Sequence, residues 1–437
     1  MRGDTVERVK VIGGGLAGCE AAWHLAQSGI KVDLYEMRPI KSTPAHHTDR
    51  LAELVCSNSL RSDEITNAAG LLKQEMRMLD SIVMKVAEST RVPAGAALAV
   101  DRTKFSSNIT EIIKNHPNIK LHIEEMCEIS EPPAIIATGP LTSEAMSKAI
   151  AELLGNEHLY FYDAAAPIVT AESINWDKAF WGSRYNKGDA DYVNLPLTRD
   201  EYDVFYNELV TAKTHPLKDF EKPMFFEGCM PVEVMAKRGY ETLLFGPLKP
   251  VGIIDPKTGK QPFAVVQLRK ENNEGTLLNI VGFQTSLKWT EQKRVFGLIP
   301  GMEEAEFVRY GFIHRNTFIS SPIHLKPTLE LKAINGIFFA GQITGVEGYI
   351  ESAASGIVAG LNMKRLINGQ EPMVMPTESI IGALLNYITS ADPANFQPMK
   401  ANFGILPQLP NKVKDKTLRK KMLSERALES IRKIVEL

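Results

Sequence analysis

The chain has 437 residues, 44% hydrophobic and 23% charged, which is enough for two or three globular domains with sizeable cores. A formal net charge of −2 excludes a protein that captures polyanions by its overall charge, so any nucleic-acid contact has to be a local basic patch. No apolar run reaches membrane-spanning length and the N-terminus runs straight into a strand, so neither a membrane span nor a signal peptide is expected, and a cytoplasmic location is. Cys19, Cys56, Cys127 and Cys229 contain no pair at zinc-ligand spacing, so no metal is expected and the thiols are expected to stay reduced.

Val9 to Ile12 reads as a buried strand, followed by Gly13-Gly14-Gly15-Leu16-Ala17-Gly18. A helix is predicted from Glu20 to Gln27, and a second strand from Ile30 to Tyr35, closed by Glu36. Gly13 is expected to turn the chain out of the strand, Gly15 to let a pyrophosphate approach the backbone, and Gly18 to let helix and strand pack closely. The helix N-terminus offers N–H groups to the phosphates, and Glu36 stands where an acid accepts bonds from a ribose. This is the fingerprint of a dinucleotide site. Ile135-Ile136-Ala137-Thr138-Gly139 is a strand ending in ATG, a mark of flavoprotein folds. Near the C-terminus Gly336 to Gln342 runs from strand into loop, then come Gly345, Gly348 and a helix from about Tyr349 to Ile367. That stretch resembles a second FAD motif, with Gly341, Gln342, Glu347 and Tyr349 at the cofactor. Gln342 stands where most FAD proteins carry Asp; it can hydrogen-bond a ribityl hydroxyl but adds no charge.

Between these ends, the polar stretch from Met37 to Ser62 is long for a loop, which points to function. Helical patterning runs over Asn67 to Ala87, and a small-residue turn is predicted over 92 to 102 leading into a helix capped by Asp101, with strands at Ile119 to Ile123 and Pro133 to Thr138, and a helix near Ser143 to Leu154. Tyr162 to Pro167 reads as a crossover. An aromatic-rich region follows, with a hairpin of strands 261–268 and 276–283. The fold class is therefore α/β: a discontinuous Rossmann-like FAD-binding domain, 1–165 and 325–437, with an inserted α+β domain, 166–324. The tail from Asn411 is a basic amphipathic helix.

Cys56, in VCSNSLRS, lies among hydroxyls and near Arg61, a setting that favours a reactive thiol over a packing one. Cys229, in FFEGCMPVE, is held at a bend. Cys19 and Cys127 read as packing residues. The adjacent His46 and His47 do not make a metal pair; one of them is an acid–base or phosphate candidate against a solvated-loop reading. His314 is a weaker candidate. Candidate RNA contacts are Lys237, Arg238 and Lys249, and Arg419, Lys420 and Lys421 of the tail, all of which also read as solvated faces.

The stretches VIGGGLAGCEAAW, TPAHHTDRLAELVCSNSLRS, VPAGAALAVDR, FYDAAAPIV, FFEGCMPVE and FAGQITGVEGYIESAASG together resemble the folate- and FAD-dependent tRNA (uracil-5-)-methyltransferases, the TrmFO family, over nearly the whole chain. GidA, a larger relative, shares the fingerprint but carries a C-terminal region this chain is too short to hold. The resemblance implies a methylene group from methylenetetrahydrofolate, reducing equivalents from NAD(P)H through FAD, and 5-methyluridine in the T-loop of tRNA. It implies that Cys56 and Cys229 are the catalytic cysteines. A thiolate adds to carbon 6 of uracil, carbon 5 attacks a methylene iminium, a base removes the ring proton, and a hydride completes the methyl group. The two cysteines are expected to meet over the flavin at the domain junction, one as nucleophile and the other as proton acceptor or protector. A flat group on the far face of the pterin is expected to be His314. The same chemistry on large-subunit ribosomal RNA, and a flavin-dependent thiol oxidoreductase pairing Cys56 with Cys229, are the alternative readings.

Overall fold

A computed structural model describes residues 8–43, 45–155, 158–164, 166–186, 189–215, 230–271, 275–311, 313–393, 396–411 and 413–436, with the side chains of 158–164, 186 and 313–316 outside the description. Two apolar cores organise the described chain. One is built from residues between Val9 and Leu154 and between Phe318 and Ile431, the other from residues between Val169 and Ala305.

The first core surrounds a five-stranded parallel sheet in the order Ile337–Phe339, Ala134–Ile136, Val9–Ile12, Val32–Glu36, Ile119–Ile123. The strands Ala134–Ile136 and Val9–Ile12 at its centre are apolar at every position but Lys10, as a parallel sheet covered on both faces requires. The helix Leu16–Gln27 begins at the glycine turn itself, four residues earlier than the sequence predicts, with Gly15 as its N-cap. It packs along Tyr349–Ile367. The approach is close because Gly356 and Gly360 face it: a Cβ on Gly356 would stand 2.2 Å from the Ala17 carbonyl oxygen, and one on Gly360 3.0 Å from that of Ala21. Small residues at four-residue spacing thus bring two helix N-termini to one end of the sheet.

The helical patterning over Asn67 to Ala87 resolves into two helices, Ala68–Met78 and Ile82–Ser89. The chain turns at Asp80, where φ is 64°. The buried Glu20 carboxylate fixes the break by accepting bonds from the Ile82 and Val83 amides, at 3.2 and 3.0 Å, and from the Ser81 hydroxyl. Apolar spacing continues across the break, so periodicity alone does not show it. Cys19 is buried, its thiol toward the Gly14 carbonyl at 3.4 Å. Cys127, expected to be packed, is exposed in the loop after Ile119–Ile123. The tail forms the helix Lys416–Val435, which lays Leu423, Ala427 and Ile431 against the first core and anchors Ser424 to the Ile65 carbonyl.

The second core lies under a six-stranded antiparallel sheet in the order Phe180–Gly182, Tyr192–Leu197, Ala264–Lys270, Leu277–Ile280, Ile168–Thr170, Phe307–Arg309. The predicted hairpin is its central pair. The stretch expected as a bare crossover, Tyr162 to Pro167, instead includes the end of a strand, His158–Ala164, paired antiparallel with Ile313–Ile319. This ribbon carries the chain from the first core to the second and back.

Candidate active site

The three fingerprint glycines have three different surroundings. Gly13 has φ +108°, and a Cβ there would lie 2.4 Å from the Ala137 carbonyl oxygen. A Cβ on Gly18 would lie 1.8 Å from the Gly13 carbonyl oxygen, whereas one on Gly15 would meet nothing within 4 Å. Gly13 and Gly18 therefore serve the packing of strand and helix, and Gly15 leaves room for a ligand. That room belongs to a cleft with about 1010 Å³ of empty space, its open mouth included, lined by Gly13, Gly14, Gly15, Leu16, Ala17, Glu36, Thr138, Gly139, Gly341, Gln342 and Tyr349. Residues more than 300 positions apart in sequence thus line one cavity. A dinucleotide fits this lining: an open glycine at a helix N-terminus for the pyrophosphate, and an acid at the end of the second strand.

Glu36 is buried and already engaged. Arg38 grips it in a fork, Nε to Oε1 and Nη2 to Oε2 at 3.0 Å each, and the Gly14 amide donates to Oε2 at 3.1 Å. Burial opposes its charge, but the Arg38 bonds and charge outweigh burial and hold the carboxyl below its ordinary value. Gln342 donates from Nε2 to Oε2 of the buried Glu347 at 2.8 Å. The amide that replaces the usual acid therefore has a carboxylate beside it, and two acids there would repel.

Cys56 stands where the long polar loop meets the start of Tyr349–Ile367. The Tyr349 hydroxyl donates to Cys56 Sγ at 3.1 Å and accepts from the Cys56 and Ser57 amides at 2.6 and 3.2 Å. Two amides pointing at the phenol oxygen leave its proton directed to sulfur. Burial, and then the neighbouring thiol, push the Tyr349 phenol well above its ordinary value, so it stays a donor. The inserted sheet supplies the other side. Arg309 donates to the Val55 carbonyl, and Arg269 donates to the Ser57 hydroxyl at 2.9 Å and to Asn58 Oδ1 at 2.8 Å. Burial, and then repulsion from Arg102, draw Arg309 down to about 10, which leaves it a cation at neutral pH.

A model of the glucose inhibited division protein A family matches residues 8–371. A protein from Listeria innocua named methylenetetrahydrofolate–tRNA-(uracil-5-)-methyltransferase TrmFO is 61% identical over 98% of this chain and 99% of its own. The chain belongs to the TrmFO family. A TrmFO of Halalkalibacterium halodurans is 60% identical over 98% of both chains. Aquifex aeolicus GidA has a similar structure, with a TM-score of 0.72 at 18% identity, covering 98% of this chain and 74% of that one; this likeness is one of fold.

Of the residues that the TrmFO resemblance points to, the structure brings Cys56 and Tyr349 into contact and gathers Gly13 to Ala17, Glu36, Gly341 and Gln342 around one cleft. Cys229 lies outside the described residues. The His314 backbone pairs with Asp163 in the ribbon, and its side chain lies outside the description. His46 lines the cleft with Nδ1 2.6 Å from the Thr43 hydroxyl, and the His47 amide donates to Glu53. Lys237, Arg238 and Lys249 are exposed beside the second core, whereas Arg419, Lys420 and Lys421 are exposed on the tail helix of the first, so the two basic groups belong to different bodies of the fold. Among the described residues no cluster of three His, Cys, Asp or Glu is placed to hold a metal, and no helix is long and apolar enough to cross a membrane. Sequence reasoning missed Arg38, Asn58, Arg269 and Arg309. A signal for Arg269 exists in AVVQLRK, where Gln267 and Arg269 occupy one face of a strand whose other face carries Ala264, Val266 and Leu268; such a face needs polar partners.

Proposed function

We propose that this chain methylates carbon 5 of a T-loop uridine in tRNA, with methylenetetrahydrofolate as carbon donor and NAD(P)H as reductant through FAD, the activity that the name of its TrmFO relatives describes in part. One observation carries the reading for this chain's own residues: a thiol hydrogen-bonded by a protonated phenol at 3.1 Å, at the rim of a dinucleotide cleft. The two cores support two domains, 1–165 with 325–437 and 166–324, except that Phe318 and Ile319 of the second range pack in the first core, and the site lies at their junction.

FAD, when bound, supplies the hydride equivalent delivered by NAD(P)H. Gly15 and the start of Leu16–Gln27 receive its pyrophosphate, Glu36 its ribose, and Gly341 and Gln342 its ribityl side. Cys56 and Cys229 are the two thiols of the reaction. A thiolate forms a bond to carbon 6 of uracil, and the electron pair moved onto the ring makes carbon 5 the nucleophile toward the methylene carbon. Loss of the carbon 5 proton to a base breaks the bond from the methylene to its carrier nitrogen, and addition of the hydride equivalent to the exocyclic methylene completes the methyl group as the thiolate is eliminated and the ring restored. Tyr349 serves this sequence by donating to Cys56 Sγ, which favours the thiolate over the thiol. Exposed cations on both bodies hold the RNA backbone.

The test uses purified protein, tRNA lacking the T-loop methyl, NADPH, and methylenetetrahydrofolate labelled at the methylene carbon. Label in 5-methyluridine, lost when folate or NADPH is omitted, is the expected result. Label only in ribosomal RNA offered under the same conditions would move the substrate. No label in either RNA would end the reading.

A further inference from the structure

The segment Val55-Cys56-Ser57-Asn58 belongs to the first core by sequence, yet much of its grip comes from the second. In the six-stranded sheet, Arg269 lies opposite Asn279, Asn279 opposite Ile168, and Ile168 opposite Arg309. Cross-strand partners share a face, and the register shift between Phe307 and Arg309 brings Arg309 in place of Val308 opposite Ile168, so the two arginines stand on one row, three strand spacings apart, or about 14 Å. Both reach the same short segment from opposite ends. Arg309 takes the carbonyl of the residue before Cys56. Arg269 takes the hydroxyl of the residue after it, at 2.9 Å, and Asn58 Oδ1 through Nε and Nη2. Asn58, fully buried, completes the bridge, its amide donating to the Val100 carbonyl of the first core and to the Lys270 and Glu271 carbonyls at 3.1 and 3.2 Å.

We propose that Arg269 and Arg309 are positioning residues for Cys56: the inserted sheet clamps the segment on both sides of the thiol, and the reactive sulfur is complete only when the two bodies are docked. The inference rests on Cys56 being one of the reacting thiols. The bonds are made by guanidinium groups, whose fixed donor geometry a lysine does not reproduce. The clamp also sets charge. Tyr349 meets the sulfur from the helix side, and Arg309, on the sheet, interacts electrostatically with Cys56 and with Arg102, which is ion-paired with Glu271 at 2.5 Å; His47 senses Arg309 and Arg102 from the polar loop, and the Arg61–Glu351 pair lies further along the segment. Arg309 and the Cys56 sulfur act on each other electrostatically, so removing the guanidinium charge disfavours the thiolate.

The experiment uses full-length FAD-loaded protein. The rate at which iodoacetamide labels Cys56 is followed by mass spectrometry of its peptide across the pH range, together with kcat and KM for tRNA methylation. Arg309→Gln is expected to raise the pH midpoint of labelling by about one unit and to lower kcat about tenfold with KM for tRNA unchanged, while Arg309→Lys restores the midpoint. Arg269→Lys keeps the charge and loses the fork; it is expected to leave the midpoint in place, to speed labelling at high pH severalfold as the segment loosens, and to lower kcat. A wild-type midpoint in Arg309→Gln overturns the role of Arg309, and a wild-type labelling rate and kcat in Arg269→Lys overturn the clamp. Where Arg309→Gln does not retain FAD, the Arg269→Lys result decides. Labelling reads the clamp whatever Cys56 does in the reaction. Unimpaired methylation by Cys56→Ser is a separate failure, that of the catalytic reading on which the clamp's purpose rests.

Discussion

At the scale of single residues, similar side chains take different work from their surroundings. Gly15 and Gly18 are both fingerprint glycines, but only the second is pressed against backbone. Gly18→Ala is expected to cost about 1–3 kcal/mol of stability, because the new methyl group cannot clear the Gly13 carbonyl without moving strand or helix. Gly15→Ala is expected to leave the melting temperature of the FAD-free protein unchanged and to weaken FAD binding at least about tenfold, since its methyl group enters ligand space. Measuring melting temperature and FAD titration on both variants separates the two roles. Equal effects of the two substitutions on FAD-free stability would be inconsistent with the geometry. Tyr349 is the other residue whose role is local. Tyr349→Phe removes the donor to Cys56 Sγ and the acceptor of two amides. Methyl transfer is expected to fall about tenfold or more, with the flavin spectrum of bound FAD retained. A phenylalanine variant with the wild-type rate would remove the hydroxyl from the reaction.

At the scale of elements, buried carboxylates join helices that sequence spacing leaves unrelated. Glu20 starts Ile82–Ser89 from the fingerprint helix. Glu75, on Ala68–Met78, accepts from the Ile380 and Ile381 amides at the start of Ile380–Ser390, at 2.8 and 2.9 Å. Burial pushes the Glu75 carboxyl up to about 8, against the two amide bonds, which draw it down. The folded protein then holds a proton there that the unfolded chain releases above the ordinary glutamate range. From about pH 5 to about pH 7 the unfolded state binds fewer protons at this site, so stability falls as pH rises. Glu75→Gln removes that proton and is expected to flatten the denaturant-measured stability over this window, by a slope approaching about 1.4 kcal/mol per pH unit. Its neighbour Lys73, fully buried on three carbonyls and drawn down to about 7 by burial, acts in the opposite sense above about pH 7, which is why the lower window isolates Glu75. An unchanged pH slope in Glu75→Gln would mean the carboxyl is ionised in the folded state.

At the scale of the whole molecule, one body carries the dinucleotide cleft and the other hydrogen-bonds the segment around Cys56, so the candidate site lies where they meet. The exposed cations lie on both bodies as well. If RNA spans the junction, neutralising Lys237, Arg238 and Lys249 and neutralising Arg419, Lys420 and Lys421 are each expected to make tRNA binding less sensitive to salt. The logarithmic slope should shrink by about one for every phosphate that no longer meets a cation. A full wild-type slope in either triple variant would remove that face from the RNA-binding surface.

What the sequence determined by itself was chemistry carried on contiguous residues. The glycine turn with its acid, the ATG strand and the Gly341–Gly348 loop each hold their meaning within a few positions, because backbone conformation and phosphate approach are local properties. The parallel sheet followed from strands alternating with helices. The packing of Gly356 on Ala17, the break at Asp80, the ionic grip of Arg38 on Glu36 and the row from Arg269 to Arg309 were decided only in three dimensions. Glu20 and Ile82 are 62 residues apart, and Asn58 and Lys270 are 212 apart. No local pattern encodes a bond between such partners. A buried polar group has to find its partner wherever the fold supplies one, and it is the docking of two separately built cores that places arginines from one beside the cysteine of the other.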